Sequence, residues 1–496
     1  MSLVLLYFSF PTQYGGSYLF AWIAFIPILL MLDRIRKYST KMIVCWALLQ
    51  LFFMLLFWIN PFNLDKSFYQ PGNYFGTIYI VILIPLVYSV ALFLISLLKG
   101  HPFVQASLWT LIESMLLQNI FSVPMSFAIT QFNNFYLIQV CSIAGMYGIT
   151  FLLILSNITI ADLIINRGKK EVVCIGICLF SLIVSFSYGY FRTSTLKYSD
   201  KNSYKLSLIQ PNHNWQLGVM SQQNKIIRNE YEKDYIYITN KAVKKNSPDL
   251  IVWPEGALNI DASSAMNKYV RSMGRDIIYG GTTIDPVERK PKNSIFMISS
   301  KNHISSVYSK EKLAPFFETN MYKSEINNTP FYLPDRDISI GPLVCFETLF
   351  QGIVRKHVSM GANIIICLSN DSFFGGSNLI VLHAISSIFR AVEFARPVTF
   401  INNTGFSVVS DHLGKILLIS AINKASISSI SVNPYQCATF FYLYPNILVL
   451  ACLLFVSTFA AKEVRILFVS NVNKRRKNYE KNSYGNDINV CGFASY

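Results

Sequence analysis

A membrane α-helical bundle of about eight spans, carrying a layered α/β domain outside the bilayer, is the architecture this sequence predicts. Three observations predict it. Hydrophobic residues fill 52% of the 496 positions and only 14% are charged, too apolar a balance for an ordinary soluble domain. The apolar residues gather in runs long enough to cross a bilayer, over roughly the first 190 positions and again near 440–461. Between those regions, from about 200 to 435, short Val-, Ile- and Tyr-rich segments alternate with helical stretches.

A hydrocarbon core about 30 Å thick takes roughly 20 apolar residues per helix. Spans are therefore expected at about 16–32, 41–59, 75–98, 103–123, 138–165, 172–190 and 440–461. A shorter stretch at 3–10 stops at Pro11; it is about half a span and completes the count of about eight if it inserts. Orientation follows from the Lys and Arg of the short loops. Arg34, Arg36, Lys37 and Lys41 mark one loop, Lys99 the next on that side, and Arg167, Lys169 and Lys170 the one after. The alternate loops, about 60–74 and 124–137, hold Lys66 as their only basic residue. The basic loops are expected in the cytoplasm, and the tail with Lys462, Arg465, Lys474, Arg475, Arg476 and Lys477 returns there, which puts the α/β domain outside. The expected division is a transmembrane bundle over 1–192, a catalytic domain over 200–436, a C-terminal span over 437–463 and a basic cytoplasmic tail over 464–496. The apolar start, followed by further spans, lacks the basic leader and small-residue cleavage site of a removable signal. The uncharged outer loop from Val123-Pro124-Met125-Ser126, with Phe121, Phe127, Phe132 and Phe135 close by, is expected against the membrane interface, with reach to the α/β domain as the alternative.

Composition excludes several functions. The formal charge is +16, but its basic residues are scattered or end apolar runs, with no aromatic-interleaved basic stripe, so no nucleic-acid partner is expected. Nine cysteines, mostly inside apolar runs, do not form a disulfide framework. No HExxH, paired-cysteine or glycine-rich phosphate motif is present, and His357 and His383 stand isolated in the sequence. Neither a metal nor another cofactor is expected.

In the domain, strands are expected near 204–210, 250–253, 277–280, 294–299, 304–308, 338–346, 362–369, 398–402 and 406–410, several of them apolar throughout as central strands are. Chemistry-bearing residues fall at strand ends, where open α/β sheets place active sites. Glu255 follows Leu250-Ile251-Val252-Trp253-Pro254; beside apolar Trp253 its pKa should rise, which suits a general base near neutrality. Lys310 follows the strand ending at Tyr308 and offers a cation for a developing oxyanion. Lys312 is its rival on the same face of an extended chain, and motif position favours Lys310. Cys345 ends an apolar strand and is soon followed by polar Glu347 and Thr348, as at a sharp nucleophile turn, where the Phe346 N–H can serve as a second oxyanion donor. Cys367, inside Ile364-Ile365-Ile366-Cys367-Leu368, reads as a buried hydrophobe.

With these residues laid out, the domain resembles the nitrilase (carbon-nitrogen hydrolase) superfamily, whose hallmark is a Glu-Lys-Cys triad in that order on an α-β-β-α sandwich. The supporting stretches are Gln210-Pro211-Asn212, Trp253-Pro254-Glu255, Tyr308-Ser309-Lys310, Pro315-Phe316-Phe317-Glu318, Cys345-Phe346-Glu347, Asn370-Asp371-Ser372-Phe373-Phe374-Gly375, Arg390 to Pro397, and Asn402-Asn403-Thr404-Gly405. The whole chain looks like the apolipoprotein N-acyltransferases, the bacterial inner-membrane branch of that superfamily. In the membrane half the likeness is carried by Leu108-Trp109-Thr110-Leu111-Ile112-Glu113 and the 145–153 region. Phe317, Phe346, Phe373 and Met125 stand where that family commonly has Gly, Tyr, Trp and Trp.

The resemblance implies Glu255 as general base, Lys310 as oxyanion stabiliser, Cys345 as nucleophile, Glu318 as a second essential carboxylate and Glu347 as a supporting residue. It implies a phospholipid acyl donor, a thioester on Cys345, and transfer to the α-amino group of a diacylglyceryl-cysteine at an apolipoprotein N-terminus, in a multi-pass protein of the inner membrane acting as a monomer with its catalytic domain in the periplasm. The alternatives are a membrane-tethered amidase that uses water as acceptor and a non-catalytic scaffold that retains the fold.

Overall fold

The computed structural model describes residues 1–13, 15–58, 82–115, 126–196, 203–214, 224–258, 264–300, 305–314, 318–326, 328–374 and 377–486. Met125, Phe317 and Cys491 lie outside them, as does the side chain of Phe373.

The apolar runs fold as helices α1 (Ser2–Ser9), α2 (Ile26–Arg34), α3 (Tyr38–Trp58), α4 (Ile84–Leu97), α5 (Pro102–Leu111), α6 (Cys141–Ala144), α7 (Met146–Asn166) and α8 (Lys169–Thr195). Among the described residues four segments are long and apolar enough to cross a membrane: Tyr38–Leu56, Met146–Asn166, Lys169–Thr195 and Ile447–Ser470. Helix length thus supports four of the expected spans, and those at 75–98 and 103–123 run partly outside the described residues. Apolar composition measures burial, not helix continuity, and local backbone chemistry breaks several runs. The run at 16–32 divides into a 3₁₀ turn (Tyr18–Trp22) and α2, which starts afresh with Pro27 in its first turn. The run at 138–165 breaks at Gly145, whose φ of +65° ends α6 before α7 begins. Side chains on α8, such as Val172, Phe180 and Ile183, stay exposed on an apolar surface, as a lipid-facing helix requires.

Phe127, expected at the membrane interface, is instead a core residue, its ring within 5.0–5.6 Å of those of Phe10, Phe25, Tyr88 and Trp109. Just before it, Ser126 donates to buried Glu113, which also accepts from Thr150, Trp109 and Tyr88. Four donors supply what a carboxylate in an apolar bundle needs.

The domain is built from two six-stranded sheets. The first contains β1 (Tyr204–Gln210), β2 (Leu250–Val252), β3 (Asp276–Ile284), β4 (Pro291–Ile298), β5 (Ser305–Ser309) and β12 (Ser426–Val432), ordered β12-β1-β2-β3-β4-β5. The second contains β6 (Phe331–Leu333), β7 (Ile338–Val344), β8 (Ile364–Ser369), β9 (Val398–Asn402), β10 (Val408–Ser410) and β11 (Ile416–Ile419), ordered β11-β10-β9-β8-β7-β6. Parallel strands β1-β2-β3 and β7-β8-β9 occupy the centres and antiparallel strands the edges. The central strands are buried on both faces, which explains their unbroken apolar sequences.

Leu206, Val252, Ile278 and Ile295 of the first sheet meet Ile340, Ile366, Leu368 and Ile401 of the second in one core. Helices α9 (Lys225–Asn246) and α10 (Ser264–Met273) cover the outer face of the first sheet through Tyr235, Val270 and Trp253. Helices α11 (Gln351–Ser359) and α12 (Leu379–Phe394) cover the second, completing an α-β-β-α sandwich. The apolar core under α12 continues into the membrane half, where Ile388, Phe389 and Val392 join a cluster with Phe127, Cys141 and Ile154. Polar ties cross the same boundary, among them Met146 N–H donating to Glu393 at 2.8 Å and Gln139 Nε2 to the Leu413 carbonyl at 2.9 Å. The chain then continues through α13 (Phe440–Leu443) into the long α14 (Ile447–Asn486).

Candidate active site

Glu255, Lys310 and Cys345 follow β2, β5 and β7, so strands from both sheets deliver them to one end of the sandwich. Glu255 is held from two sides. Its Oε1 accepts from Asn293 Nδ2 at 2.7 Å and its Oε2 from the Asn370 N–H at 2.9 Å. The turn that carries it passes so close to β3 that a Cβ on Gly280 would stand 2.6 Å from Glu255 Cα, so only glycine lets the two backbones meet. Burial raises the Glu255 pKa above the ordinary 4.5; Lys310 opposes that rise, while Glu318 and Asp371 add to it.

Lys310 is 1% exposed. Its Nζ lies 2.8 Å from Oε1 and 2.7 Å from Oε2 of Glu318. Burial alone would push the ammonium toward neutrality, but Glu318, Cys345 and Glu255 outweigh it and hold the pKa above the usual lysine value. Lys312, the rival, is exposed and stands apart from this network. Asn293 Nδ2 also reaches Glu318 Oε1 at 3.3 Å, linking the two carboxylates.

Cys345 is buried and opens a short 3₁₀ segment (Cys345–Leu349) with φ +51°, a left-handed conformation that costs a side-chain-bearing residue energy. The first turn of that segment leaves the Phe346 N–H without a partner inside it. Burial pushes the thiol pKa well up, Glu255 adds to this, and Lys310 pulls the other way. Glu347 ties the nucleophile turn to the lysine strand: its Oε2 accepts from Val344 N–H and Tyr308 Oη, both at 2.8 Å, and its Oε1 from the N–H groups of Glu311 at 2.6 Å and Lys312 at 3.1 Å. Burial pushes its pKa up to about 7.

His383, isolated in the sequence, is not isolated in space. From α12 its Nδ1 lies 3.0 and 3.2 Å from the two oxygens of buried Asp371. Cys345 Sγ, a carboxylate oxygen of Asp371 and a ring nitrogen of His383 all lie within 4.8 Å of one another, the one set of metal-donor types found among the described residues. Asp371 also accepts from Ser369 Oγ at 3.0 Å and Asn402 Nδ2 at 2.5 Å, so its lone pairs are already engaged and the set reads as a hydrogen-bonded support beside Cys345. Burial works against a charge on His383, but Asp371 and the Cys345 carbonyl hold its pKa above the ordinary value. Sequence reasoning missed Asn293 and His383 as site residues because nothing adjacent to either one signals a strand end. The Asn370-Asp371 pair does follow an apolar strand and carried a usable signal.

Residues 2–159 match the apolipoprotein N-acyltransferase N-terminal domain and residues 205–434 match the carbon-nitrogen hydrolases, in tandem along one chain. The chain belongs to the apolipoprotein N-acyltransferase family. An apolipoprotein N-acyltransferase of Geobacter metallireducens is 25% identical over 94% of this chain and 94% of its own length. That of Chlorobaculum tepidum is 23% identical over 91% of this chain and 93% of its own. An apolipoprotein N-acyltransferase 1 of Treponema denticola is 26% identical over 81% and 83%. Likeness to apolipoprotein N-acyltransferases therefore runs through both the membrane half and the sandwich, as the shared core of the two parts requires.

Proposed function

We propose that this chain moves a fatty acyl group from a membrane phospholipid, through a thioester on Cys345, to the α-amino group of a diacylglyceryl-cysteine at an apolipoprotein N-terminus. The observation that carries the reading is the convergence of a buried lysine, thiol and carboxylate, each acting electrostatically on the other two, at one end of the sandwich. The family likeness supplies the substrate class.

In the first half-reaction Glu255 accepts the Cys345 proton as sulfur attacks an ester carbonyl of the phospholipid. The tetrahedral oxyanion is held by the Lys310 ammonium and the Phe346 N–H. The C–O bond breaks, the leaving alkoxide takes the proton from Glu255, and a lysophospholipid departs. In the second half-reaction the neutral amine attacks the thioester, Glu255 accepts the amine proton, and the C–S bond breaks to return the thiol once that proton passes to sulfur. Glu318 positions Lys310. A thioester suits an amine acceptor, and an apolar site at the membrane slows competing water.

The basic loops favour an orientation with the sandwich outside the cytoplasm, and the likeness to bacterial apolipoprotein N-acyltransferases favours the inner membrane with the sandwich in the periplasm. The test is intact-mass analysis after exposure to phospholipid micelles. A mass increase of one acyl group on the wild type, absent from Cys345→Ala and discharged by an amine-bearing diacylated lipopeptide, is the expected result. Acyl transfer by Cys345→Ala would sink the mechanism, and turnover of a soluble amide with water alone would favour the amidase.

A further inference from the structure

At the boundary between the bundle and the sandwich lies a cavity of about 490 Å³. Its membrane side is formed by the ends of helices that meet the domain: Ser114 just beyond α5, Tyr147 in the first turn of α7, and Val449 in the first turn of α14. Its domain side carries Lys312, Phe350 and Arg355. An apolar floor beside helix ends is the level at which lipid head groups meet acyl chains.

The charges of the mouth are unbalanced. Glu311, the carboxylate on the wall, is taken by Lys356 Nζ at 2.7 Å. Lys312 and Arg355 have no carboxylate partner among the described residues. Lys312 Nζ rests 5.3 Å from the centre of the Phe350 ring. Arg355 gives its Nε to the Tyr442 carbonyl at 2.9 Å, a neutral acceptor that leaves its charge uncompensated. The first turn of α11, Gln351 and Gly352, opens onto the same space and adds the positive end of its dipole.

The wall also leads to the nucleophile. The Phe350 ring stands 5.1 Å from that of Phe346, the residue after Cys345, and Lys312 is two residues from Lys310.

Resting on the acyl-donor reading above, we propose that this cavity seats the phosphate-bearing glycerol head of the donor phospholipid, with Lys312 and Arg355 neutralising its phosphodiester while an acyl ester reaches Cys345. The occupant is an anionic lipid head because two uncompensated cations face an apolar floor at the helix ends. A neutral diacylglyceryl acceptor would leave both cations unanswered.

The experiment compares wild type, Lys312→Gln, Arg355→Gln, the double variant and Arg355→Lys. Each is mixed with a phospholipid in detergent micelles and, separately, with a fatty p-nitrophenyl ester that carries no phosphate, and thioester growth is followed by intact mass. The expected result is a loss of about tenfold in acylation rate from the phospholipid for each Gln variant, recovery in Arg355→Lys, and unchanged acylation from the phosphate-free ester. Equal rates of all variants on the phospholipid, or equal slowing on both donors, would overturn the subsite. Slowing confined to discharge by the lipopeptide would assign the cavity to the acceptor and overturn it too. If the wild type formed no thioester from phospholipid yet reacted with the phenyl ester, the donor reading itself would fail.

Discussion

Both carboxylate oxygens of Glu318 close on one ammonium, that of Lys310, at 2.7 and 2.8 Å in a pocket where the lysine is 1% exposed. A buried pair of this kind costs about 3–5 kcal/mol when one partner is removed, because the other charge is left unpaired. Glu318→Gln should therefore lower the thermal midpoint in detergent and slow Cys345 acylation by about a hundredfold or more. Wild-type acylation with a lowered midpoint would reduce Glu318 to a structural role.

The base role proposed for Glu255 needs it ionised, and burial with neighbouring carboxylates raises its pKa above 4.5. Acyl-enzyme formation should climb with pH along a limb whose midpoint lies above that value. In Glu318→Gln one repelling carboxylate is gone and Lys310 is free to favour the charged form, so the limb should move to lower pH. A limb that stays in place, or moves up, contradicts the electrostatic assignment.

Gly280 lets β3 pass under the Glu255 turn. A methyl group there would meet Glu255 Cα at 2.6 Å, Gly256 N at 2.7 Å and the Pro254 carbonyl at 2.8 Å, all backbone. Gly280→Ala should shift the carboxylate and lower acylation by about a hundredfold, the usual consequence of a displacement near 1 Å. Alkylation of Cys345 by iodoacetamide at high pH, which needs no base from the protein, should stay near the wild-type rate.

Cys345 holds φ +51° with a side chain attached. Alanine keeps that cost and glycine does not, so Cys345→Gly should be about 1 kcal/mol more stable than Cys345→Ala, both being inactive. Equal thermal midpoints would mean that the turn stores no strain.

His383 and Asp371 form a buried hydrogen-bonded pair beside Cys345. His383→Ala leaves Asp371 short of a partner and should cost about 3 kcal/mol, while the double variant with Asp371→Asn recovers part of that loss. Additive effects in a thermal-unfolding cycle would show the two groups to be uncoupled.

A membrane part and an α/β part were legible from the chain alone, because the length of an apolar run separates bilayer spans from short buried strands. So were the strand ends that carry Glu255, Lys310 and Cys345, since an apolar strand that stops at a titratable residue is visible locally. Edge strands were less so. β12, Ser-Ile-Ser-Ser-Ile-Ser-Val, is half exposed and rich in serine, so its place depends on pairing with β1 more than 200 residues earlier.

Gly145 and Pro27 interrupt runs that hydropathy treats as continuous, and Phe127 turned inward to a ring cluster that no local pattern announces. Which residues hold Glu255 and Asp371 and which cation is buried depended on long-range packing: Asn293 and Asn370 reach Glu255 from separate segments, His383 reaches Asp371 from a helix, and Lys310 rather than Lys312 is buried. Residue type and strand position thus declared which chemistry was on offer. The approach of the carboxylate, the ammonium and the thiol arises only when two sheets meet, since no local preference of the chain can specify a contact between segments so far apart.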